Sequence, residues 1–359
     1  MSTMNLPLRV GVMQLTMEPV EEILEHARAL DRNGFDTIWL AEAYPWWRKH
    51  SMEARSSTAL SALIAKETKD LTVGWGIISP YTRHPIQVAM EVRVTQELVG
   101  PGRLLVGFGA SKIFMKEVGI GEERPARPLK AMSESLDIVR AVLNGDELDY
   151  HGEEFTAVVP PLKPDARAPR DTVPIYVAGT GPRLQAMAGQ RADGLLTPSI
   201  TTPSFVKYAR ENLVKGAVEA GRDPASIDLG CTVVASISED RAKGREGARE
   251  IAGMYLANKV ENIQSSADIL LESAGLSREE ITPIAEAMRT GGRLAAAAAV
   301  TDDILDKTVP IAGTPADCIE AIEKYREAGC THVMLELWGE NRSAQIELFG
   351  SKVLPYLSR

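Results

Sequence analysis

The strongest constraint on this chain is its rhythm: short apolar runs alternate with amphipathic stretches from one end to the other. Leu8–Leu15 reads as a strand and Val20–Asn33 as its helix, with Gly34 as the stop. Thr37–Ala41 leads to Thr58–Thr68, and the segment Thr72–Pro85, which starts as a strand, to Ile86–Val99. Arg103–Phe108 leads to Pro128–Leu143, Pro174–Ala178 to Arg183–Gln190, and Gly194–Thr197 to Pro203–Ala220. Asp228–Ser236 is a seventh strand, and His332–Leu337 an eighth between helices Pro315–Ala328 and Ser343–Tyr356. The strands are rich in Val, Ile and Leu almost throughout, as expected when helices cover both faces of a parallel sheet. Eight such units predict an α/β chain folded as a (β/α)8 TIM barrel. A doubly wound open sheet would carry a glycine-rich dinucleotide turn after strand one. That position reads Gln14-Leu15-Thr16-Met17, which excludes the fingerprint.

Two stretches exceed the repeat. Residues 144–173 are polar and proline-rich, with a hairpin expected around His151-Gly152. Residues 239–309 are about twice the length of a helix-plus-loop unit, so two or three additional helices are expected there. This helical insertion after strand seven starts at the C-terminal mouth, where barrels of this kind place their chemistry. It is expected to act as a lid or wall, or as a packing or dimer element, within a single domain spanning 1–359.

Composition narrows the partners. A net charge of −9 and the absence of a basic run exclude a nucleic-acid surface. No apolar run is long enough to cross a membrane, and a cytoplasmic location is expected. The three cysteines, Cys231, Cys318 and Cys330, lack metal-ligand spacing and read as reduced, buried thiols. No pair of histidines has metal-ligand spacing either, so no metal site is expected. His84 reads as a helix-start cap; His26, His50, His151 and His332 lie away from the expected chemistry.

The most informative segment is Thr72–Pro85, TVGWGIISPYTRHP. It begins as a buried strand, is interrupted by Gly76, breaks at Ser79-Pro80 and re-enters regular structure at His84-Pro85. A glycine at the C-terminal end of a buried strand lets the backbone bulge or approach a ligand closely. Proline suits the first helical turn, where the missing N–H has no partner in any case.

GWGIISPYTRHP resembles the matching segment of methylenetetrahydromethanopterin reductases, members of the bacterial-luciferase-like superfamily of flavin- and deazaflavin-dependent oxidoreductases. GFDTIWLAE, GRLLVGFGAS, VPIYVAGTGPRLQAMAGQRADGLL and GTPADCIEAIEKYREAGCTHVML follow the family's order over nearly the whole chain. The resemblance implies a luciferase-like barrel that transfers a hydride between coenzyme F-420 and a small organic substrate. FMN is the alternative cofactor, in a luciferase-like monooxygenase. A flavin-binding paralogue without catalysis is the reading from another class. A homodimer is also implied.

Carried onto this chain, the resemblance places a bulge with a non-prolyl cis peptide at Gly76–Ile77, so that Gly76, Ile77 and Ile78 form a shelf for the cofactor ring. Gly109 and Ala178 would extend it. Gly179, Thr180, Gly181 and Pro182 would take the phosphate side at a helix start; Arg183 either adds charge there or is solvated. At the strand-two mouth, where relatives show an Asp-His pair, this chain has Glu42-Ala43, which makes Glu42 the candidate for substrate positioning or proton handling. Ser111 and Lys112, catalytic candidates with Glu42 for aligning substrate and stabilising charge, stand where an acidic residue is common after strand four, and Gln14 where some relatives carry one on strand one. Gln14, Trp46, Trp47 and Tyr81 are the expected substrate-lining residues.

Overall fold

The computed structural model describes residues 6–42, 53–110, 115, 119–121, 126–163, 172–261 and 265–358. Its strands are β1 (Arg9–Leu15), β2 (Thr37–Ala41), β3 (Thr72–Ile78), β4 (Leu104–Gly109), β5 (Leu148–His151), β6 (Thr156–Val159), β7 (Ile175–Ala178), β8 (Gly194–Thr197), β9 (Asp228–Ile237), β10 (Ile311–Gly313) and β11 (His332–Leu337). Its helices are α1 (Val20–Arg32), α2 (Ser57–Glu67), α3 (Pro85–Val99), α4 (Pro128–Asn144), α5 (Pro182–Arg191), α6 (Pro203–Glu219), α7 (Arg241–Glu261), α8 (Ser265–Ser273), α9 (Arg278–Ala299), α10 (Asp302–Thr308), α11 (Pro315–Glu327) and α12 (Arg342–Lys352). Eight strands pair in parallel in the order β11-β1-β2-β3-β4-β7-β8-β9, and β9 pairs back to β11 to close a barrel. The alternation in the sequence is this barrel.

Each barrel strand has two buried faces, for different reasons. Outward-facing Val10, Val12, Ile38, Leu40, Val73 and Val106 pack under the helices in the main core. The inner face is filled by Trp39, Leu105, Tyr176, Leu196 and Met334, with Met13, Ile77 and Ala178 packed against them. Trp39 and Tyr176 meet edge-on, centroids 5.2 Å apart and planes at 77°, a favoured aromatic geometry. Two rings fit inside because facing positions are glycine. A Cβ on Gly74 would lie 2.3 Å from the Trp39 ring, and one on Gly194 2.1 Å from Tyr176.

Below this plug a polar network closes the N-terminal end. Arg9 pairs with Asp228 and donates to the Tyr176 hydroxyl at 2.9 Å, and that hydroxyl donates to Asp228 at 2.7 Å. Thr331 donates to the other Asp228 oxygen, and His332 lies 3.4 Å from the carboxylate. Burial alone would raise the Asp228 carboxyl, but His332, Arg9 and Thr331 outweigh it and hold it far below the usual carboxylate range. His332 is at the bottom of the barrel, as the sequence implied.

The two irregular stretches form separate features. β5 and β6 are an antiparallel hairpin, and the buried Glu134 carboxylate accepts the N–H groups of Glu153, Glu154 and Phe155 at 2.8, 3.0 and 2.9 Å. After β9 come α7 and three further helices, packed around a second apolar cluster that includes Ile251, Leu256, Leu276, Ile284 and Leu305. The Ala295–Ala299 run permits close helix packing, since a Cβ on Gly253 would lie 2.9 Å from the Ala296 carbonyl carbon. Gly292 breaks α9 with φ 71°.

All three cysteines are buried and free, and burial pushes the Cys318 thiol up to about 12. Among the described residues no helix is long and apolar enough to cross a membrane, and no side-chain cluster has a metal-ligand arrangement.

Candidate functional site

The C-terminal end of the barrel is built around an irregularity in β3. Gly76 pairs with Gly107 and Ile78 with Phe108, so Ile77 is one residue too many for the ladder. The Gly76–Ile77 bond is cis. Two successive residues therefore face inward. Gly76 abuts Met13, whose Cε would lie 3.1 Å from an added Cβ. The Ile77 side chain lies across β4, 2.9 Å from where a Gly109 Cβ would be, and Ala178 adjoins that position at 3.3 Å. Met13, Ile77, Gly109 and Ala178 thus form a low apolar shelf at the barrel mouth, kept low by glycine. Ile78 resumes the outward parity and is fully buried in the helix-facing core. Its side chain therefore lies away from the mouth, and only its backbone adjoins the shelf.

Next to the shelf, Gly179 donates its N–H to the Leu196 carbonyl at 3.1 Å. The buried Gln185 side chain donates to the Thr180 carbonyl at 3.0 Å and accepts from Asn212 at 2.9 Å. This fixes the turn Gly179–Pro182 with Gly181 as N-cap of α5 and Pro182 in its first turn. No side-chain cap occupies that end, and a Cβ on Gly181 would meet nothing within 4 Å. Pro182 has no N–H and Leu184 donates to the Gly181 carbonyl at 3.1 Å, so it is the uncapped end and the open space at Gly181 that suit an anion. Arg183 is exposed beside it.

Past the shelf, the turn at Ser79 is closed by Thr82, whose N–H donates to the Ser79 carbonyl at 3.2 Å. Tyr81 is half-buried in this turn. His84 caps α3, accepting the Ile86 N–H at 3.2 Å through Nδ1, and packs edge-on against Phe155. Arg83 makes a two-pronged contact with Glu42, at 2.8 and 3.0 Å, and Glu42 also accepts the Ser57 N–H at 3.3 Å. The carboxylate expected to handle protons is therefore paired with arginine, Oε1 taking two donors and Oε2 one, and it ties the end of β2 to the turn after β3. Planar two-point pairing to arginine fixes orientation as well as charge, so Glu42 acts here as a clamp.

Gln14 is displaced from expectation too. It follows Val12 on the outer face of β1, and its amide donates to Glu18 at 2.7 Å while its oxygen lies 3.2 Å from His26. Its side chain serves the β1–α1 junction and does not line the barrel mouth. Trp46, Trp47, Ser111 and Lys112 lie outside the described residues.

One group at the mouth was missed by sequence reasoning. β11 turns His332, Met334 and Glu336 inward in succession, and Glu336 stands one rung above the apolar plug, 2% exposed. Its Oε1 accepts from the Tyr255 hydroxyl at 2.7 Å and the Trp338 indole at 2.8 Å, and its Oε2 from Ser199 at 2.6 Å. Burial pushes the Glu336 carboxyl above its ordinary range despite these donors and a pull from Arg342. Tyr255 comes from α7, in the segment after β9, and burial next to Glu336 keeps its hydroxyl protonated.

Comparison with known proteins agrees with this architecture. A 5,10-methylenetetrahydromethanopterin reductase of Archaeoglobus fulgidus is 28% identical over 344 residues, covering 94% of this chain and 96% of its own. An F420-dependent glucose-6-phosphate dehydrogenase of Amycolatopsis mediterranei is 23% identical, with 94% of each chain covered. The structure of the coenzyme F420 dependent tetrahydromethanopterin reductase of Methanopyrus kandleri superposes with a TM-score of 0.86 at 25% identity, over 98% of this chain and 99% of that one. A family model described as luciferase-like monooxygenase matches residues 1–332. With the barrel, the bulged third strand and this match in agreement, the chain belongs to the luciferase-like monooxygenase family.

Proposed function

We propose that this chain is an oxidoreductase that uses coenzyme F-420 to move a hydride to or from a small organic substrate, in the manner of the methylenetetrahydromethanopterin reductases. The observation that carries the reading is the end-to-end likeness to F420-dependent reductases, in sequence and in superposition. The residues present fit a flat ring. The shelf of Met13, Ile77, Gly109 and Ala178 is apolar and would be filled by any larger side chain at 109. The open start of α5 at Gly179–Pro182 suits the phosphate side of such a cofactor.

When bound, the deazaflavin supplies a carbon that gives or takes a hydride. The chain's part is to hold ring and substrate face to face, exclude water and steady the charge that develops. The shelf supports one face of the ring. The Arg83–Glu42 clamp fixes the turn that carries Tyr81. Ser111 and Lys112 remain candidates for contact with substrate, with Trp46 and Trp47 for an apolar wall.

A homodimer is part of the proposal. Met90, Val94 and Leu98 form an exposed stripe at helical spacing on α3, and Leu63 is exposed on the adjoining α2. Exposed apolar side chains at this spacing favour burial against a second copy.

Titration of the purified chain with F-420 and with FMN tests the cofactor. Saturable F-420 binding at least tenfold tighter than FMN is expected; the reverse order moves the chain to flavin chemistry. Sedimentation of the same samples should give a dimer, and a monomer at micromolar concentration removes that part of the proposal.

A further inference from the structure

Where relatives were expected to offer acidic groups on strands one and four, this chain has Gln14, turned outward, and Ser111. Among the described residues, Glu42 at the strand-two mouth is paired with Arg83, whereas the buried carboxyl group on the inner face of strand eight is held by neutral donors. We propose that Glu336 is a catalytic acid–base residue of this enzyme, delivering a proton to the substrate heteroatom as the neighbouring carbon accepts a hydride. The inference rests on the deazaflavin reading above.

Four observations place Glu336 in that role. It is the first ionisable side chain above the apolar plug, on the inner face at the C-terminal end of its strand. Val12 pairs with Leu335, so Met13 follows at the level of Glu336, and Met13 also touches Gly76 of the shelf. Shelf and carboxyl group are therefore linked through one side chain. The donor set is asymmetric: Oε1 takes two donors and Oε2 one. A carboxyl oxygen has two acceptor positions, so Oε2 keeps one place for a proton or a ligand. Finally, Ser199 is held by an unusual backbone. The next residue, Ile200, has φ 65°, a conformation that β-branched residues rarely adopt. Thr201 pins the loop by donating to the Pro198 carbonyl at 2.6 Å, and Tyr325 donates to the Thr201 carbonyl.

The substrate class follows from the chemistry. The reacting carbon is bonded to nitrogen or oxygen. The hydride, with its electron pair, leaves the reduced deazaflavin, which is oxidised, and bonds to that carbon. The carbon's bonding pair to the heteroatom moves onto the heteroatom, which takes the Glu336 proton. The cofactor's remaining proton would pass to solvent, and Glu336 would be reprotonated from solvent. The substrate gains one hydride and one proton, so the sum is neutral. Among the described residues, the titratable and charged groups that act on Glu336 are Tyr255 on α7 and Arg342 on α12, the latter paired with Glu18. Tyr255 remains a donor throughout.

Infrared spectra of the ligand-free chain and of Glu336→Gln, taken across pH, test the proton-holding half. A protonated-carboxyl band that persists above the ordinary glutamate range, and is missing from the variant, is expected. Single turnover of reduced F-420 with 5,10-methylenetetrahydromethanopterin tests the transfer. Glu336→Gln should bind F-420 as the parent does, react about 100-fold more slowly and lose the alkaline limb of the rate–pH profile. Tyr255→Phe removes a donor that favours the ionised form, so its limb should move to higher pH. The proposal is overturned if Glu336→Gln keeps the parent rate and limb, if Tyr255→Phe leaves the limb in place, or if no carboxyl band is lost. Absence of F-420 binding by the parent chain overturns the deazaflavin reading and the transfer step with it, while the infrared result still decides whether Glu336 holds a proton.

Discussion

At the N-terminal end of the barrel Asp228 is buried with Arg9 and His332 beside it; at the C-terminal end Glu336 is buried with a serine, a tyrosine and a tryptophan as direct partners. Both carboxyl groups face inward on adjacent strands and both accept several hydrogen bonds. The first is held ionised and the second is pushed towards its neutral form. Hydrogen-bond number does not separate them; the charge of the donors does. Desolvation penalises either anion by several kcal/mol, and a nearby cation offsets that penalty more fully than neutral donors do. One end of the barrel is thereby fastened, and the other retains a group able to exchange a proton.

The largest test of this contrast is Asp228→Asn. It leaves Arg9 at the barrel floor without a charge partner and should cost about 3–5 kcal/mol of unfolding free energy in urea. Because the folded-state value is depressed, the stabilisation is complete above the unfolded carboxyl value of about 3.9 and is lost as pH falls towards the folded value. The gap between parent and variant should therefore narrow on acidification; a gap that is constant with pH would refute the ionic account.

Arg83→Ala is intermediate. It leaves the Glu42 carboxylate, 7% exposed, with only the Ser57 N–H, and about 1.5–3 kcal/mol should be lost. A loss below about 0.5 kcal/mol would mean that the clamp is ornamental. The smallest effect belongs to Glu336→Gln, within about 1 kcal/mol near pH 5. Its pH dependence should run opposite to that of Asp228→Asn. A raised folded-state value stabilises below the unfolded carboxyl value, and that contribution disappears as pH rises through the folded value. Parent minus variant stability should decline with rising pH, and an increase would reverse the assignment.

The barrel was legible because strands covered on both faces read as unbroken apolar runs, and helix stops and starts punctuate them. The bulge at Gly76–Ile77 was legible through resemblance to a family motif. Side-chain direction at strand ends was harder to read. Gln14 and Ile78 each sit one residue from an inward-facing neighbour, and a shift of one position changes the face. Glu42 was found but its partner was not, since Arg83 lies 41 residues away. Glu336 had a signal: a lone carboxylate near the C-terminal end of HVMLEL, an otherwise apolar strand. Its partner Tyr255 had none, being 81 residues distant in an inserted helix.

The ends of that inserted segment meet. β10 pairs with the last three residues of β9, and the Ser238 N–H donates to the Gly313 carbonyl at 3.0 Å. The segment therefore leaves and rejoins the cylinder at one place, much as a jewel is held in a single setting. A change in that segment would reach the hydroxyl that touches Glu336, and it would also reach Val234 and Ala312, which share the segment's apolar cluster.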